Sequence, residues 1–238
     1  DGELVDSRDS SDVPIPDYDS NVFFGAFNGV GEFSNGQLDE IAIWNRALSS
    51  EEVKNSFKNS YSGQESGLMG FWNFDDGSAT DLSPNGYDGT LEGDAIINEA
   101  SINNLGGEPI KSILSTFGGK TDQNKVLNLD GDGDYVSTPI KNLSGDELTI
   151  QYWFRGTSLQ SAVRQQSSGW IVAGWNGKHI LANDDGVNGL NIGEESLDGN
   201  WHHVSLTWKR NSESGFASYL DGELVDSRDS SDVPIPDY

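Results

Sequence analysis

Apolar residues fall in short runs along the chain, separated by stretches rich in Gly, Asn, Asp and Ser. Several runs alternate apolar with polar, the period of a strand with one buried face. The clearest are 147–155 (ELTIQYWFR) and 201–208 (WHHVSLTW). Residues 37–44 (QLDEIAIW) also read as a strand, although their alternation is imperfect. Shorter strands are predicted at 21–26, 68–74, 125–129, 135–138, 169–174, 179–181 and 189–192. Residues 216–220 and 223–226 flank Asp221-Gly222, a dipeptide that suits the tight turn of a hairpin. One segment breaks the pattern. In ALSSEEVKNSFKNSYSG, Ser49 and Glu52 form a capping box, which predicts one short helix with Gly63 as its stop. Residues 96–119 are weakly patterned and read as an irregular insertion. Many short strands with turn signals between them predict an all-β, antiparallel two-sheet sandwich.

The chain also contains a duplication. Residues 1–18 and 221–238 both read DGELVDSRDSSDVPIPDY. The period is 220 residues, the length of a whole domain and far beyond the roughly 20–50 residues of solenoid units. The expected source is a tandem array. Within the chain, the first strand of the hairpin at 216–226 is present once and its second strand twice, at 3–6 and 223–226.

Composition narrows the function. Net charge is −25, and each copy of the duplicated segment carries −5, leaving −20 for one repeat unit. Such a surface repels phosphate backbones and anionic membranes, so neither nucleic acid nor membrane insertion is expected. It favours divalent cations. No apolar run reaches the roughly 20 residues that span a bilayer. Cysteine is absent, which removes disulfides and thiolate metal sites.

The order of motifs resembles a known family. GLMGFWNFDDGSATDLSPNGYDGTL (67–91) resembles the opening of laminin-G-like, concanavalin A-like jelly-roll domains. VLNLDGDGDYVSTP, ELTIQYWFRG, NWHHVSLTW and YLDGELVDS resemble the strands that follow. The family's closing pattern stands at the front of the chain, as GQLDEIAIWNRALSSEEV (36–53). The resemblance therefore implies a jelly roll in a permuted or strand-swapped frame. Residues 1–62 would supply the closing strands and helix of one repeat, 63–67 a linker, and 68–238 the opening and central strands of the next. In the family the first and last strands lie close in one sheet, so the linker can join them within one permuted sandwich. The alternative is a swap between neighbours.

Candidate chemistry centres on calcium. The loop 75–88 offers Asp75, Asp81, Asn85 and Asp88 around Gly77 and Gly86, hard oxygens of the kind calcium takes. The resemblance adds Asp39 of the closing strand as a ligand from a second segment. The same loop also fits an ordinary Asx-stabilised turn. DGDGDYV (130–136) fails as an EF-hand, because its sixth and twelfth positions are Tyr135 and Lys141. A Gly-rich turn is expected there, with a rim calcium on Asp132 or Asp134 as the other reading. Asn183, Asp184 and Asp185 read as a solvated face.

Trp170 and Trp175, in the Gly-rich stretch GWIVAGWNGKH, are candidates for stacking on sugar rings. Core packing is their alternative, and it is the expectation for Trp44, Trp72, Trp153 and Trp208. His202 and His203 face opposite sides of a strand and cannot ligate one metal together. Catalysis is not expected. The Glu-x-Asp-x-x-Glu strand of glucanases on this fold is missing, since Glu92-Gly93-Asp94 has Ile97 where the second Glu belongs. No Gly-x-Ser-x-Gly elbow exists either.

These readings converge on a non-catalytic, secreted or surface-anchored bacterial repeat. Its units would build an adhesive or structural fibre, stabilised by calcium and contacting neighbouring copies head-to-tail or by strand swapping. The alternative is a lectin-like module that binds surface or matrix glycans.

Overall fold

The structure is a computed structural model that describes residues 20–100, 124–141, 143, 145–166, 170–183, 192, 196–209, 212 and 215–228. Two antiparallel sheets face each other. The larger runs β14 (Glu223–Arg228), β13 (Phe216–Leu220), β12 (Trp201–Lys209), β8 (Glu147–Ser158), β2 (Asn35–Trp44), β6 (Lys125–Asp130), β5 (Ile96–Glu99). β3 (Leu68–Trp72) pairs beside the second half of β2. The smaller runs β11 (Lys178–Asn183), β10 (Trp170–Trp175), β9 (Ser161–Gln166), β1 (Val22–Phe24), β7 (Tyr135–Thr138), β4 (Thr90–Glu92).

The core lies between the sheets. Leu148, Ile150, Tyr152 and Phe154 point inward from β8, meeting Phe24, Val136, Val163 and Ile171 from the opposite sheet. Trp72 and Trp208 lie in this core, as expected. The larger sheet is also covered on its outer face, by α1 (Ser50–Lys58). There Ala42, Trp44, Phe71, Ala217 and Tyr219 meet Leu48 and Val53. This explains the imperfect alternation of QLDEIAIW. Ile41 and Ile43 fill the core, while Ala42 and Trp44 fill the second cluster beneath the helix. A strand buried on both faces has little polar face to display. Trp153 also faces the helix side, stacked on Phe57 with centroids 5.6 Å apart, and it is half-buried rather than core.

Polar residues beneath the helix are tied together. Gln151, fully buried, donates to Ser56 Oγ (3.1 Å) and Ser205 Oγ (3.0 Å) and accepts from Tyr61. The predicted capping box is present, with Ser49 and Glu52 bonded reciprocally. The helix ends at Lys58, before the expected Gly63. Asn59 caps it in an extended conformation, and Tyr61 then turns in against Trp44 and Phe71.

The insertion expected at 96–119 begins instead with a regular strand. β5 pairs with β6, and β4 and β9 are two further strands that the sequence pattern did not announce. Residues 101–123 lie outside the described residues, as do most of 189–192, of which Ile192 bridges His179.

The front segment completes the sheets of the rear segment. β2 lies between β8 and β6, and its second half pairs with β3 in the register Ile41↔Trp72 to Ile43↔Gly70. The connection between α1 and β3 is tight: a Cβ at Gly63 (φ +84°) would meet the Leu82 carbonyl oxygen at 2.2 Å. The hairpin expected at the rear is also present. β13 pairs with β14 across Asp221-Gly222, whose φ values are 52° and 80°. The first copy of the duplicated segment lies outside the described residues.

Candidate functional site

The acidic loop after β3 is organised around Asp81. Its buried carboxylate accepts from the backbone N–H groups of Phe71 (2.9 Å), Ser83 (2.9 Å) and Tyr87 (2.8 Å) and from Ser83 Oγ (2.8 Å). Four bonds use the lone-pair sites of a carboxylate. Asp88 accepts from the Asp81 N–H (2.9 Å), and the Asn85 amide donates to the Leu68 and Met69 carbonyls. Asp81, Asn85 and Asp88 thus fold the loop back onto β3. Asp76 closes the loop's near end by accepting from Ser78 and Thr80. Burial opposes ionisation of Asp76, but these donors and the charge of Lys125 outweigh it and hold the carboxyl below its usual range.

Asp39 and Asp75 have a different setting. They arrive from separate segments, β2 and the loop start, and meet consecutive residues. The Asn124 amide donates to Asp39 (3.2 Å), and the Lys125 N–H donates to Asp75 (3.4 Å). Each carboxylate is next to a non-glycine residue at positive φ, Glu40 (46°) after Asp39 and Phe74 (56°) before Asp75. The register of β2 against β8 also breaks between Asp39 and Ala42. Side chains with a Cβ take this conformation at a cost, and such costs cluster where a site is held in shape. The five candidate calcium ligands therefore divide. Asp39 and Asp75 bond consecutive residues, Asn124 and Lys125, whereas Asp81, Asn85 and Asp88 serve the loop.

A second acidic group was only half legible. Carboxylate oxygens of Asp94, Asp130 and Asp134 lie within 4.8 Å of one another. DGDGD forms the expected turn, with Gly131 and Gly133 at φ 89° and 87°. Asp134, buried, accepts from the N–H groups of Asp94 (2.9 Å) and Asp130 (3.0 Å). Burial and the side-chain contact with Asp94 raise the Asp134 pKa, despite the Asp130 N–H, which lowers it. Asp132 bonds its N–H to Asp130 and is not one of the three. Asp94 comes from the turn between β4 and β5, forty residues away, and no local motif announced it.

The aromatic candidates stand in strand β10 rather than in a loop. Trp175, half-buried, packs on Val172 and Ile180 at the hairpin to β11. The Trp170 side chain lies outside the described residues, as do Asp184, Asp185, Asn142 and Ser144. Nearby on the smaller sheet, Arg164 lies over the Phe27 ring at 4.4 Å and pairs with Glu32, and Tyr135 contacts Phe23 and Phe33.

The histidines separate as expected. His202 bonds Asp221 (2.9 Å) and Asp198 (3.3 Å), and the Asp221 bond is the main cause of its raised pKa. His203 is buried against Trp153 and Phe57, and burial lowers its pKa to about 4. His179, bonded to Tyr152 Oη at 2.8 Å in the core, is lowered by burial to about 3.

Among the described residues, no helix is long and apolar enough to cross a membrane. No curated protein and no solved structure matches the chain. A family model does, that of Laminin_G_3, described as the concanavalin A-like lectin/glucanases superfamily. It matches residues 1–54 and 130–237, about two thirds of the chain. With two packed antiparallel sheets, the chain belongs to the laminin-G-like family of concanavalin A-like domains.

Proposed function

We propose that this chain is a non-catalytic, extracellular laminin-G-like repeat whose sandwich is stiffened by calcium where the opening loop meets the closing strand. The observation that carries this reading is the bonding of Asp39 and Asp75 to consecutive residues, Asn124 and Lys125, with strained backbone beside both. The donor set suits a hard cation, since two carboxylates from different segments bring charge and oxygen ligands together. The ion would link β2 to the loop after β3. Those are the two segments that a permuted or repeated arrangement must hold together. The −25 net charge adds long-range attraction for divalent cations. Successive units of this kind would form a stalk or fibre on a bacterial surface, with neighbouring repeats as the principal partners.

Thermal melting of the intact chain with calcium, with magnesium and with a chelator tests the reading. Calcium should raise the melting temperature saturably, and the chelator should reverse the rise. An unchanged melting temperature in calcium excess sinks the calcium part of the proposal.

A lectin-like role is the second reading. It is favoured by aromatic and charged residues of the smaller sheet, Phe23, Tyr135, Trp175 and Arg164, with Phe27 and Phe33 from the β1–β2 connection beside them. Ring faces beside a guanidinium and amides are the usual chemistry for sugars. A glycan array separates the readings: saturable binding lost on Trp175→Ala supports the lectin, and a blank array removes it.

A further inference from the structure

Both ring nitrogens of His202 face carboxylates. Nδ1 lies 2.9 Å from Asp221, the first residue of the turn between β13 and β14, and Nε2 lies 3.3 Å from Asp198, in the bend before β12. An ionised carboxylate only accepts, so each contact needs a proton on the ring nitrogen. Neutral imidazole carries one N–H, and imidazolium carries two. We propose that His202 is a proton-operated clasp: the charged ring ties the 198–200 bend to the β13–β14 hairpin, and the neutral ring lets the bend go.

The two carboxylates are held differently, and this decides which one is released. Asp221 is fixed to β12 without the ring. Its Oδ1 accepts from the His203 N–H (2.9 Å), and its own N–H donates to the His203 carbonyl (2.9 Å). Among the described residues, the other partner of Asp198 is Asn200, whose N–H and side-chain amide both donate at 2.7 Å within the same bend. A neutral ring therefore keeps its proton on Nδ1, at the shorter contact with the fixed carboxylate. Nε2 then turns a lone pair toward Asp198, and two acceptors repel.

The neighbouring elements leave control of the ring to these two acids. On β8, Phe154 stands opposite His202, and Arg155 beside it donates its Nε–H to the Gly199 carbonyl (3.1 Å). On β11, burial lowers the His179 pKa to about 3, and the His202 charge lowers it further, so that imidazole stays neutral. On β14, Glu223 is engaged by Lys54 of α1 at 2.6 Å. His203, next along β12, is buried on the α1 side against Phe57 and Trp153. The Asp221 bond does most to raise the His202 pKa, burial opposes it, and Asp198 adds to the rise. Charge on the ring therefore stabilises the fold below pH 6.5, the value of the free group, and that contribution is lost as pH rises through the folded value.

The release is local. The bend stays hooked to the end of β8 by the Gly199 N–H, which donates to the Gly156 carbonyl (3.2 Å), and by Arg155. The Asp198 side chain is already 44% exposed, so its carboxylate gains water at little cost when the ring contact breaks. Asp221 keeps both of its backbone bonds to His203. This end of the larger sheet is thus clasped in mild acid and looser once the ring is neutral, while the β13–β14 hairpin stays attached to β12 throughout.

Nitrogen NMR of the histidine rings in the full chain gives protonation and tautomer together, from acid to mildly alkaline pH. His202 should titrate above pH 6.5, and its neutral form should carry the proton on Nδ1. Amide hydrogen exchange, corrected for its intrinsic dependence on pH, is the second measurement. Protection of the Gly199 N–H should fall about threefold as the ring loses its charge, the scale of an exposed ion pair. Protection of the Asp221 N–H should stay constant over the same range. Asp198→Asn still accepts from the Asn200 N–H through its amide oxygen, so the bend is preserved. It should lower the His202 pKa and leave Gly199 protection independent of the ring. The proposal is overturned if His202 titrates at or below pH 6.5, if its neutral ring carries the proton on Nε2, or if the Gly199 amide keeps its protection or the Asp221 amide loses its own.

Discussion

Asp81 and Asp134 are two buried aspartates in two Gly-rich acidic loops, and their surroundings differ. Asp81 accepts four hydrogen bonds and welds its loop to β3. Asp134 accepts two and shares its space with Asp94 and Asp130. A carboxylate with enough donors is a structural anchor, whereas one crowded by other carboxylates carries an electrostatic cost. Loop composition alone does not distinguish the two cases, because both read as Asp and Gly in a polar stretch.

The largest expected effect comes from breaking the anchor. Asp81→Ala leaves the Phe71 and Tyr87 N–H groups unpaired near the core and should cost about 3 kcal/mol in a denaturant titration. A loss under about 0.5 kcal/mol, the size of an ordinary surface substitution, contradicts the anchoring role.

Acid comes next, acting on the same logic of buried charge. His203 has a folded pKa of about 4 against 6.5 for the free group. The unfolded chain therefore binds the proton first, and stability falls as pH drops from 6.5 toward 4, by about 3 kcal/mol for this residue. His179 acts in the same direction. His202 acts oppositely: its raised pKa stabilises the fold below pH 6.5, and that contribution is lost as pH rises through the folded value. His203→Phe should flatten the acid limb of a plot of unfolding free energy against pH. An unaltered limb removes His203 from the account.

The calcium proposal predicts a third, smaller effect. Asp39→Asn with Asp75→Asn should abolish the calcium-dependent rise in melting temperature, a linkage of about 2.7 kcal/mol at a hundredfold excess over Kd. Asp94→Asn with Asp130→Asn should leave that rise in place. The reverse pattern moves the ion to the second cluster.

The smallest effect completes the contrast. Asp134→Asn removes a carboxylate whose pKa is raised, so it should be neutral or slightly stabilising at pH 7, within about 1 kcal/mol. A loss as large as that of Asp81→Ala erases the distinction between the loops.

Much of the candidate site was legible because its segments carry recognisable patterns. Asp39 lies in LDEIAIW and Asp75 at the head of the acidic loop, and both motifs stand out in a linear reading. The division of labour within the loop was not legible. It depends on backbone N–H groups at Phe71 and Tyr87 that turn toward Asp81 only in the folded loop. Asp94 was missed because nothing near it in sequence marks it, and only the approach of the β4–β5 turn to DGDGD makes it part of a cluster.

The sequence by itself determined the all-β class, the capped helix and the Asp-Gly hairpin. These depend on local propensity, on the spacing of apolar residues, or on the order of motifs along the chain. Tertiary structure alone decided which faces are buried, where the chain closes and which acids act together. β2 is buried twice over because α1 folds onto it, and no period in eight residues reports what covers each face. Residues 223–228 lie beside β13 because the two-residue turn Asp221-Gly222 folds them back against it.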